Sequence, residues 1–293
     1  MTRNIQNAFT RRGMLKAGAA SALALSLPGL AMAKGKGAPK AGLALQLYSV
    51  RKDCAKDFDA ALTRVAGMGF DAVEFAGYHS YSNNAEGLRK KLDELGLKVA
   101  ATHIGTGTLI GDNLKKTVDF HKTIGCKYLC VPGDKRFSQP DGSKELAEIF
   151  NKAAEELKKV GLATGYHNHT HEFEKDGDKT YWELFAERTC KDVVLQQDVG
   201  WTTVAGYDPA EMIRKYPGRS QVIHCKPSMV EGDEGKAILG QDSVKWVPVF
   251  EACRDVGGTE WLTVEQERYP DGKSPMECSE LSLAGIKKIL AAM

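Results

Sequence analysis

Short apolar runs alternate with longer amphipathic stretches from residue 42 onward, and this alternation repeats eight times along the chain. The apolar runs have the length of buried strands, and the stretches between them have the apolar spacing of helices that bury one face. A regular succession of strand and helix is typical of a parallel sheet with helical crossovers. The predicted strands are Leu43–Tyr48, Ala72–Phe75, Val99–His103, Tyr128–Val131, Ala163–His167, Val193–Asp198, Gln221–His224 and Trp261–Glu265.

The amphipathic stretches supply eight predicted helices, and glycine follows several of them. Glycine is favoured just beyond a helix C-terminus because it adopts positive φ without steric cost. Eight strand–helix units in about 250 residues predict an α/β protein with a (β/α)8 TIM barrel, which we place at residues 42–293. The helices are predicted near 57–68, 83–95, 112–125, 143–160, 179–189, 208–215, 243–256 and 279–292. The glycines expected to end five of them are Gly69, Gly96, Gly125, Gly161 and Gly257.

The first 33 residues have the pattern of an export signal. Basic residues precede the apolar run AGAASALALSLPGLAMA, which ends in a small-residue cleavage pattern at Ala33. Arg11 and Arg12 resemble the pair in a twin-arginine signal, which implies the twin-arginine export machinery as a partner and a periplasmic location. We expect cleavage near Ala33, no stable membrane anchor afterwards, and a linker over residues 34–41. An ordinary secretory signal or an uncleaved anchor is the alternative.

Composition and charge narrow the classes of function. Hydrophobic residues make up 42% of the chain and charged residues 27%, which is ordinary for a globular protein. The formal net charge of +2 reflects no basic excess, so nucleic acid is not expected as a partner. The seven cysteines are scattered, which predicts buried thiols and no disulfide framework or cysteine zinc site. The chain has neither a glycine-rich dinucleotide fingerprint after the first strand nor a P-loop motif.

Ionisable side chains fall at the ends of six of the predicted strands. In a barrel of this kind, the carboxyl ends of the strands converge on one mouth, where the chemistry takes place. Imidazole and carboxylate ligands together suit Mn, Zn, Co or Fe better than Ca or Mg. We therefore predict one divalent metal at the mouth of the barrel. The side chains concerned are Glu74, His103, His167, His169, Asp198, His224, Glu265 and Glu267.

The predicted metal ligands are His167, Asp198, His224 and Glu265. Each has a structural alternative, because a histidine can be a hydrogen-bonded structural residue and Asp198 can cap the turn that follows it. His167 and His169 have the same parity along the fifth predicted strand, so their side chains face the same way. Which of these two histidines binds the metal stays open at this point.

Seven short stretches carry a resemblance to a known family. The chain from about residue 43 to residue 292 resembles the xylose isomerase-like TIM barrel superfamily, whose members are usually called sugar phosphate isomerases/epimerases. The resemblance implies the same barrel and one divalent metal. The stretches are LALQLYSVR, FDAVEFAGY, VAATHIG, YHNHTHEF, LQQDVGW, VIHCKP and WLTVEQE.

In that superfamily the metal is typically held by an acidic residue after strand five, an Asp after strand six, a His after strand seven and a Glu after strand eight. Asp198, His224 and Glu265 match three of these positions, and His167 or His169 stands where many relatives have Glu. In many relatives that Glu is also an acid/base, paired across the substrate with the strand-eight Glu. Its absence disfavours two-base isomerisation and favours one-sided proton abstraction, as in an elimination.

Exported relatives with the YHNH stretch are similar to lyases and hydrolases of 3-keto-glycosides. The resemblance therefore implies a metal-dependent enzyme that removes the proton next to the carbonyl of a keto-sugar or 3-keto-glycoside, with a small-molecule carbohydrate as its partner. A sugar isomerase or epimerase is the alternative, and a non-catalytic carbohydrate-binding barrel is a third reading. Endonuclease IV, a distant relative, uses many more histidine ligands, so cleavage of nucleic acid is not expected.

Other residues at the predicted mouth are assigned to catalysis or to substrate binding. His169, His103 and Glu267 are the candidates for the group that takes the proton. Lys226 is expected to hold a developing oxyanion or a substrate hydroxyl. The aromatic rings could stack on a pyranose, with core packing as their alternative role. The residues expected to contact substrate are Glu74, Trp201 and Tyr48.

Overall fold

Eight parallel strands surround one axis in the computed structural model, which describes residues 37–293. The strands are β1 (Gly42–Gln46), β2 (Ala72–Phe75), β3 (Lys98–His103), β4 (Tyr128–Val131), β5 (Ala163–His167), β6 (Val194–Gln196), β7 (Val222–Cys225) and β8 (Trp261–Val264). Their order is β6-β5-β4-β3-β2-β1-β8-β7. The ends of this sheet meet through a parallel bridge between Asp198 and His224, which makes the barrel nearly closed. The predicted TIM barrel is confirmed.

Helices follow the strands and cover the outside of the barrel. Each of the eight predicted helices is found, with ends shifted by up to four residues where the helix is continuous. Two short helices, α1 and α7, were not predicted. A small antiparallel hairpin pairs Lys175–Asp176 with Lys179–Thr180. The helices are α1 (Arg51–Lys56), α2 (Phe58–Met68), α3 (Ala85–Leu95), α4 (Asp112–Ile124), α5 (Pro140–Lys159), α6 (Tyr181–Arg188), α7 (Val199–Val204), α8 (Pro209–Lys215), α9 (Trp246–Ala252) and α10 (Pro275–Ala292).

Two strands end earlier than predicted because the chain turns at once into helix. After β1 the chain forms a 3-10 turn over Leu47–Val50, so Tyr48 lies beyond the strand. After β6, Asp198 caps α7, and one of its carboxylate oxygens accepts a hydrogen bond from the backbone N of Trp201 at 2.7 Å. The cap proposed as an alternative role for Asp198 is therefore present. This capping hydrogen bond uses Oδ1 of Asp198 and leaves Oδ2 for other contacts.

One of the five predicted glycine caps is wrong. Gly257 lies inside a single π-helical turn, Cys253–Gly257, that continues α9 by one wider turn. The left-handed residue that ends this helix is the next one, Gly258, with φ of 67°. The wider turn accommodates one residue more than an α-helical pattern predicts, which shifts the cap by one position.

The bottom of the barrel interior is filled by small residues. Ala44, Ala72 and Ala100 form a buried layer there, and the ring of Trp261 packs against it. Glycine is also required at position 165 on β5, where β6 lies close: a Cβ on Gly165 would lie 2.6 Å from the backbone oxygen of Val194 on β6. The interior is thus lined by small residues near the start of the strands, and the polar side chains of the strand ends form the layer above them.

Three further sequence-based expectations have different outcomes. Six of the seven cysteines are buried free thiols, as predicted, and Cys190 is an exposed free thiol. Within residues 37–293, no helix combines the length and apolar character needed to cross a membrane. The signal at residues 1–33, its cleavage near Ala33 and the start of the linker lie outside the described residues and stay predictions.

Candidate active site

The carboxyl ends of the strands enclose a cavity of about 600 Å³ at the mouth of the barrel. This volume falls within the range of about 300–1,000 Å³ that is typical of small-molecule sites. Loops after β2, β3 and β4 supply small and apolar wall residues, and the polar and aromatic groups come from the end of β3 and from the ends of other strands and the segments that follow them. The lining side chains with polar or aromatic groups are Tyr48, His103, His167, His169, Trp201, Glu265 and Glu267.

Four buried side chains cluster beside this cavity, and two of them, His167 and Glu265, also line it. His167, Asp198, His224 and Glu265 each offer one possible ligand atom, and these atoms lie within 4.8 Å of one another. These are the four ligands predicted from the sequence. His103 forms a second such group with His167 and His224, which the sequence did not indicate. The donor set of two imidazoles and two carboxylates is one that a divalent transition metal accepts.

Two atoms of this cluster lack the partners that buried polar atoms normally have. Oδ2 of Asp198 and Nδ1 of His167 are buried without a hydrogen-bond partner within the described part of the chain. Nε2 of His167 lies 4.0 Å from Oδ2 of Asp198, which is too far for a direct hydrogen bond. Leaving a buried acceptor unpaired costs about 1–3 kcal/mol, more for a charged group. The unpaired carboxylate oxygen therefore fits a site that receives a cation.

The pKa values of the two carboxylates in the cluster are shifted in opposite directions. Burial raises the pKa of Asp198 to about 7, although Lys226 and His224 act against it. Burial acts to raise the pKa of Glu265 as well, but Lys226 and His224 outweigh it and hold that pKa at about 2. Without a metal, Glu265 is therefore charged at neutral pH and Asp198 titrates near neutrality.

His224 joins the cluster to a carboxylate below it. Its Nδ1 lies 2.7 Å from Oε2 of Glu265, and its Nε2 lies 2.8 Å from Oε1 of Glu74. Burial acts to lower the pKa of His224, but the two carboxylates outweigh it and raise that pKa to about 10. A metal that binds through Nδ1 must therefore displace a proton held between His224 and Glu265.

Glu74 does not contact the cavity, which corrects its predicted role in substrate binding. The side chain is fully buried, because Glu74 is the penultimate residue of β2 and points into the barrel one layer below the mouth. Burial acts to raise its pKa, but His224 and His103 hold the pKa of this carboxyl well below its usual range. Glu74 is thus a buried anion beneath the imidazole rings.

The structure separates the two histidines of the fifth strand by depth. His167, the last residue of β5, is buried within the four-residue cluster. The ring of His169 lines the cavity nearer its opening, 5.0 Å from the ring of His167 and 5.8 Å from the ring of Trp201. Burial lowers the pKa of His169, so its ring is neutral at neutral pH. His167 is therefore the ligand candidate, and His169 faces the space where a substrate would lie.

A cation, a carboxylate and an indole stand together beside His169. Nζ of Lys226 pairs with Glu267, lies 3.9 Å from Oε1 of Glu265, and sits 4.8 Å above the ring of Trp201. Burial acts to lower the pKa of Lys226, but the neighbouring carboxylates raise it, so the amine stays charged. At the rim, Tyr48 is 43% exposed. Glu267, Trp201 and Tyr48 are therefore cavity-wall groups, and Lys226 is buried in contact with the first two of them.

Sequence reasoning missed the amides that support these ionisable groups. Gln46 and Gln196, the last residues of β1 and β6, are fully buried and both bond Glu74. Oδ1 of Asn168 accepts a hydrogen bond from the backbone N of Asp198 at 3.0 Å, which fixes the start of α7. The signal was available, because glutamine at the end of an otherwise apolar strand is expected to bond another polar group.

Glu172 supports the loop that carries His169. The carboxylate is fully buried and accepts hydrogen bonds from the backbone N of His169 at 2.8 Å and from the hydroxyl of Tyr166 at 3.3 Å. It also lies 3.0 Å from Nε2 of His171. Glu172 therefore fixes the backbone at His169, and this contact positions the ring of His169 at the cavity.

Fold and site together define a (β/α)8 barrel with imidazoles and carboxylates gathered at the carboxyl ends of its strands. The chain belongs to the xylose isomerase-like TIM barrel family, whose match spans residues 62–288. This match confirms the resemblance carried by the seven sequence stretches.

Several proteins with assigned activities are similar over most of the chain. Inosose dehydratase from Geobacillus kaustophilus is 23% identical over 272 residues, which cover 79% of this chain and 87% of that protein. Inosose dehydratase from Clostridium botulinum is 23% identical over 261 residues, 75% of this chain and 85% of that protein. Most of each relative is therefore represented here.

Solved structures show the same architecture. A sugar phosphate isomerase/epimerase from Parabacteroides distasonis is 27% identical and aligns with a TM-score of 0.70, covering 88% of this chain and 97% of that one. The structure of L-ribulose 3-epimerase aligns with a TM-score of 0.65 at 18% identity, covering 86% of this chain and 95% of that one. At that identity the second likeness is one of fold.

Proposed function

We propose that this protein is a divalent-metal-dependent enzyme that removes the proton next to the carbonyl of a keto-sugar or 3-keto-glycoside and acts as a lyase or hydrolase. The observation that carries the proposal is the buried cluster of His167, Asp198, His224 and Glu265, with its unpaired Asp198 oxygen, which reaches the cavity through His167 and Glu265. The similarity to inosose dehydratases, whose name describes a dehydration, supports the elimination.

The cluster would hold the metal, with Mn, Zn, Co or Fe suited to its ligands. A bound divalent ion would polarise the substrate carbonyl as a Lewis acid, which makes the neighbouring C–H bond more acidic. A substrate in the cavity would meet His169, Trp201 and Glu267, which line it.

His169 is the favoured proton acceptor among the three candidates. Its ring is neutral and faces the cavity. Nε2 of His103 is engaged by Glu74 and Gln196, both at 3.0 Å, and Glu267 is paired with Lys226. His169 therefore takes the proton, the C–H electron pair becomes the new double bond, and the substituent on the next carbon leaves with its own pair.

Lys226 supplies positive charge next to Glu265, Glu267 and Trp201. Its amine stays protonated and can donate a hydrogen bond to a departing oxygen or a substrate hydroxyl. Trp201 and Tyr48 offer aromatic faces against which a pyranose ring can stack. The substrate expected from these walls is a small-molecule carbohydrate.

The test is to incubate the protein and Mn²⁺ with a 3-keto-glycoside in D2O and follow the reaction by NMR. Release of the aglycone that requires metal and is lost in Asp198→Asn supports the lyase or hydrolase. Deuterium at C2 without release would indicate instead the sugar isomerase or epimerase, which the similarity to the Parabacteroides distasonis protein favours. Neither release nor exchange across several keto-sugars would contradict both and leave a carbohydrate-binding barrel.

We also propose that the protein acts in the periplasm after export by the twin-arginine machinery. The support is the Arg11–Arg12 pair and the Ala-Met-Ala ending at Ala33. Replacing both arginines, Arg11→Lys with Arg12→Lys, is expected to leave most of the protein uncleaved in the cytoplasmic fraction. Undiminished export of this variant, measured by cell fractionation, would indicate an ordinary secretory signal.

A further inference from the structure

The carboxylate of Glu74 has no part in the function proposed above, although it lies directly beneath the candidate ligands. Four side-chain nitrogens lie within 3.0 Å of its Oε1, and one of them, Nε2 of Gln196, also lies 3.1 Å from Oε2. Nε2 of Gln46 lies at 3.0 Å and Nε2 of Gln196 at 2.9 Å. Nε2 of His103 lies at 3.0 Å and Nε2 of His224 at 2.8 Å. These partners are what allows the fully buried carboxylate of Glu74 to be charged, because an unpaired charge there would be very costly.

Further contacts fix which way the two amides point. Oε1 of Gln46 accepts a hydrogen bond from the backbone N of Tyr48 at 3.1 Å. Oε1 of Gln196 lies 3.0 Å from Nε2 of His103. Both amide NH2 groups therefore face Glu74, and the nitrogens around it act as donors. A protonated carboxyl would have no acceptor among these neighbours, so the surroundings of Glu74 are built for the carboxylate.

A carboxylate below His224 decides which ring nitrogen can reach a metal. Because an ionised carboxylate only accepts, Nε2 of His224 must carry a hydrogen toward Glu74. The other nitrogen, Nδ1, faces Oε2 of Glu265 at 2.7 Å, on the side of the four-residue cluster. A ligating imidazole needs a nitrogen free of hydrogen, and with Nε2 held by Glu74 only Nδ1 can provide it.

We propose that Glu74 is a positioning residue, which holds hydrogen on Nε2 of His224 and orients the ring so that Nδ1 is the ligating atom. The inference rests on the metal site proposed above. Outer carboxylates of this kind fix the tautomer of a ligating histidine and increase its basicity, and their loss typically lowers metal affinity by about 10–100-fold. Glu74 thus acts on the metal through His224, without touching metal or substrate.

The experiment measures Mn²⁺ affinity by isothermal titration calorimetry in the wild-type protein and in Glu74→Gln, which keeps the size of the side chain and removes its charge. We expect Mn²⁺ to bind about 10–100-fold more weakly to the variant. The matched control is Glu172→Gln, since Glu172 is also a fully buried glutamate but bonds Tyr166 and the backbone of His169. The control is expected to keep the wild-type affinity for Mn²⁺.

A second measurement needs no variant and so does not depend on the folding of Glu74→Gln. In wild-type protein with ¹⁵N-labelled histidine and bound Zn²⁺, two-bond ¹H–¹⁵N NMR spectra are expected to show His224 protonated at Nε2 and not at Nδ1. The opposite tautomer, or unchanged Mn²⁺ affinity in a folded Glu74→Gln, would overturn the role of Glu74 alone. If the wild-type protein bound neither ion, the proposed metal site would fall together with this inference.

Discussion

At the scale of single residues, the site is built from carboxylates and imidazoles whose charges oppose or support one another over a few ångströms. Asp198 has the least favourable surroundings for a charged carboxylate, because it is buried with one oxygen unpaired and has the negative charge of Glu265 close by. Such a residue lowers the stability of the metal-free protein, so its place in the cluster points to function.

Replacing Asp198 with Asn is expected to abolish metal binding and to stabilise the metal-free protein. The folded protein retains a proton on Asp198 up to a pH of about 7, whereas the unfolded chain releases it near pH 4. Folding is therefore favoured by acid at this site, and this advantage is lost as the pH rises through about 7. We expect the variant to gain on the order of 1–3 kcal/mol over wild type by pH 7.5, and little at pH 4.

Urea denaturation with EDTA at several pH values measures this difference. The variant curve should become flatter than the wild-type curve between pH 4 and pH 7. A stability difference that does not change with pH would show that Asp198 does not titrate in this range in the folded protein.

Replacing His169 with Ala is expected to lower kcat by about 10²–10⁴-fold while leaving metal affinity unchanged, because the residue is a proton acceptor outside the cluster. The matched control is His79→Asn, since His79 is an exposed histidine outside the cavity lining, with φ of 47°, a conformation that asparagine tolerates. Steady-state kinetics and Mn²⁺ titration on both variants make the test. Loss of Mn²⁺ binding in His169→Ala would instead identify His169 as a ligand.

At the scale of elements, each functional group is placed by the end of a strand and the turn that follows. His167 ends β5, Asp198 follows β6 by two residues, and Gly165 is the residue that lets these two strands approach. The contact at Gly165 therefore couples strand packing to the geometry of the candidate ligands.

Replacing Gly165 with Ala is expected to destabilise the protein by about 1–3 kcal/mol, because the new Cβ would lie 2.6 Å from the backbone oxygen of Val194. The control is Gly107→Ala, where no heavy atom of the described chain lies within 4 Å of an added Cβ. Urea denaturation compares the two variants with wild type. Equal stability of Gly165→Ala and Gly107→Ala would mean that β5 and β6 can separate without cost.

At the scale of the whole molecule, the unpaired atoms in the cluster make the stability of the barrel depend on what binds there. A ligand that binds only the folded state stabilises it by about 2.7 kcal/mol at 100 times its dissociation constant. Adding Mn²⁺ at that excess is expected to raise the midpoint of thermal unfolding by several degrees, and EDTA should reverse the rise. The same addition to Asp198→Asn should produce no rise, and a similar rise in that variant would place the ion elsewhere.

The amino-acid sequence determined the elements of this protein and the chemistry gathered at their ends. Periodic apolar positions specify eight strands and eight helices because burial of one face requires that spacing. A parallel barrel then brings the polar strand ends to one mouth, so Asp198, His224 and Glu265 could be grouped with a histidine at the end of the fifth strand from their positions. The family resemblance could also be drawn from the sequence, because seven short stretches carry it.

The tertiary structure alone decided depth and pairing. Alternation along a strand gives His167 and His169 the same face, but only the folded barrel shows that His167 lies in the cluster and His169 near the opening. Glu74 comes one residue before the end of its strand, which buries it below the cavity. Its bonds to His224 and to Gln196 join residues 150 and 122 positions apart. Such distances are set by barrel closure, which no local pattern encodes.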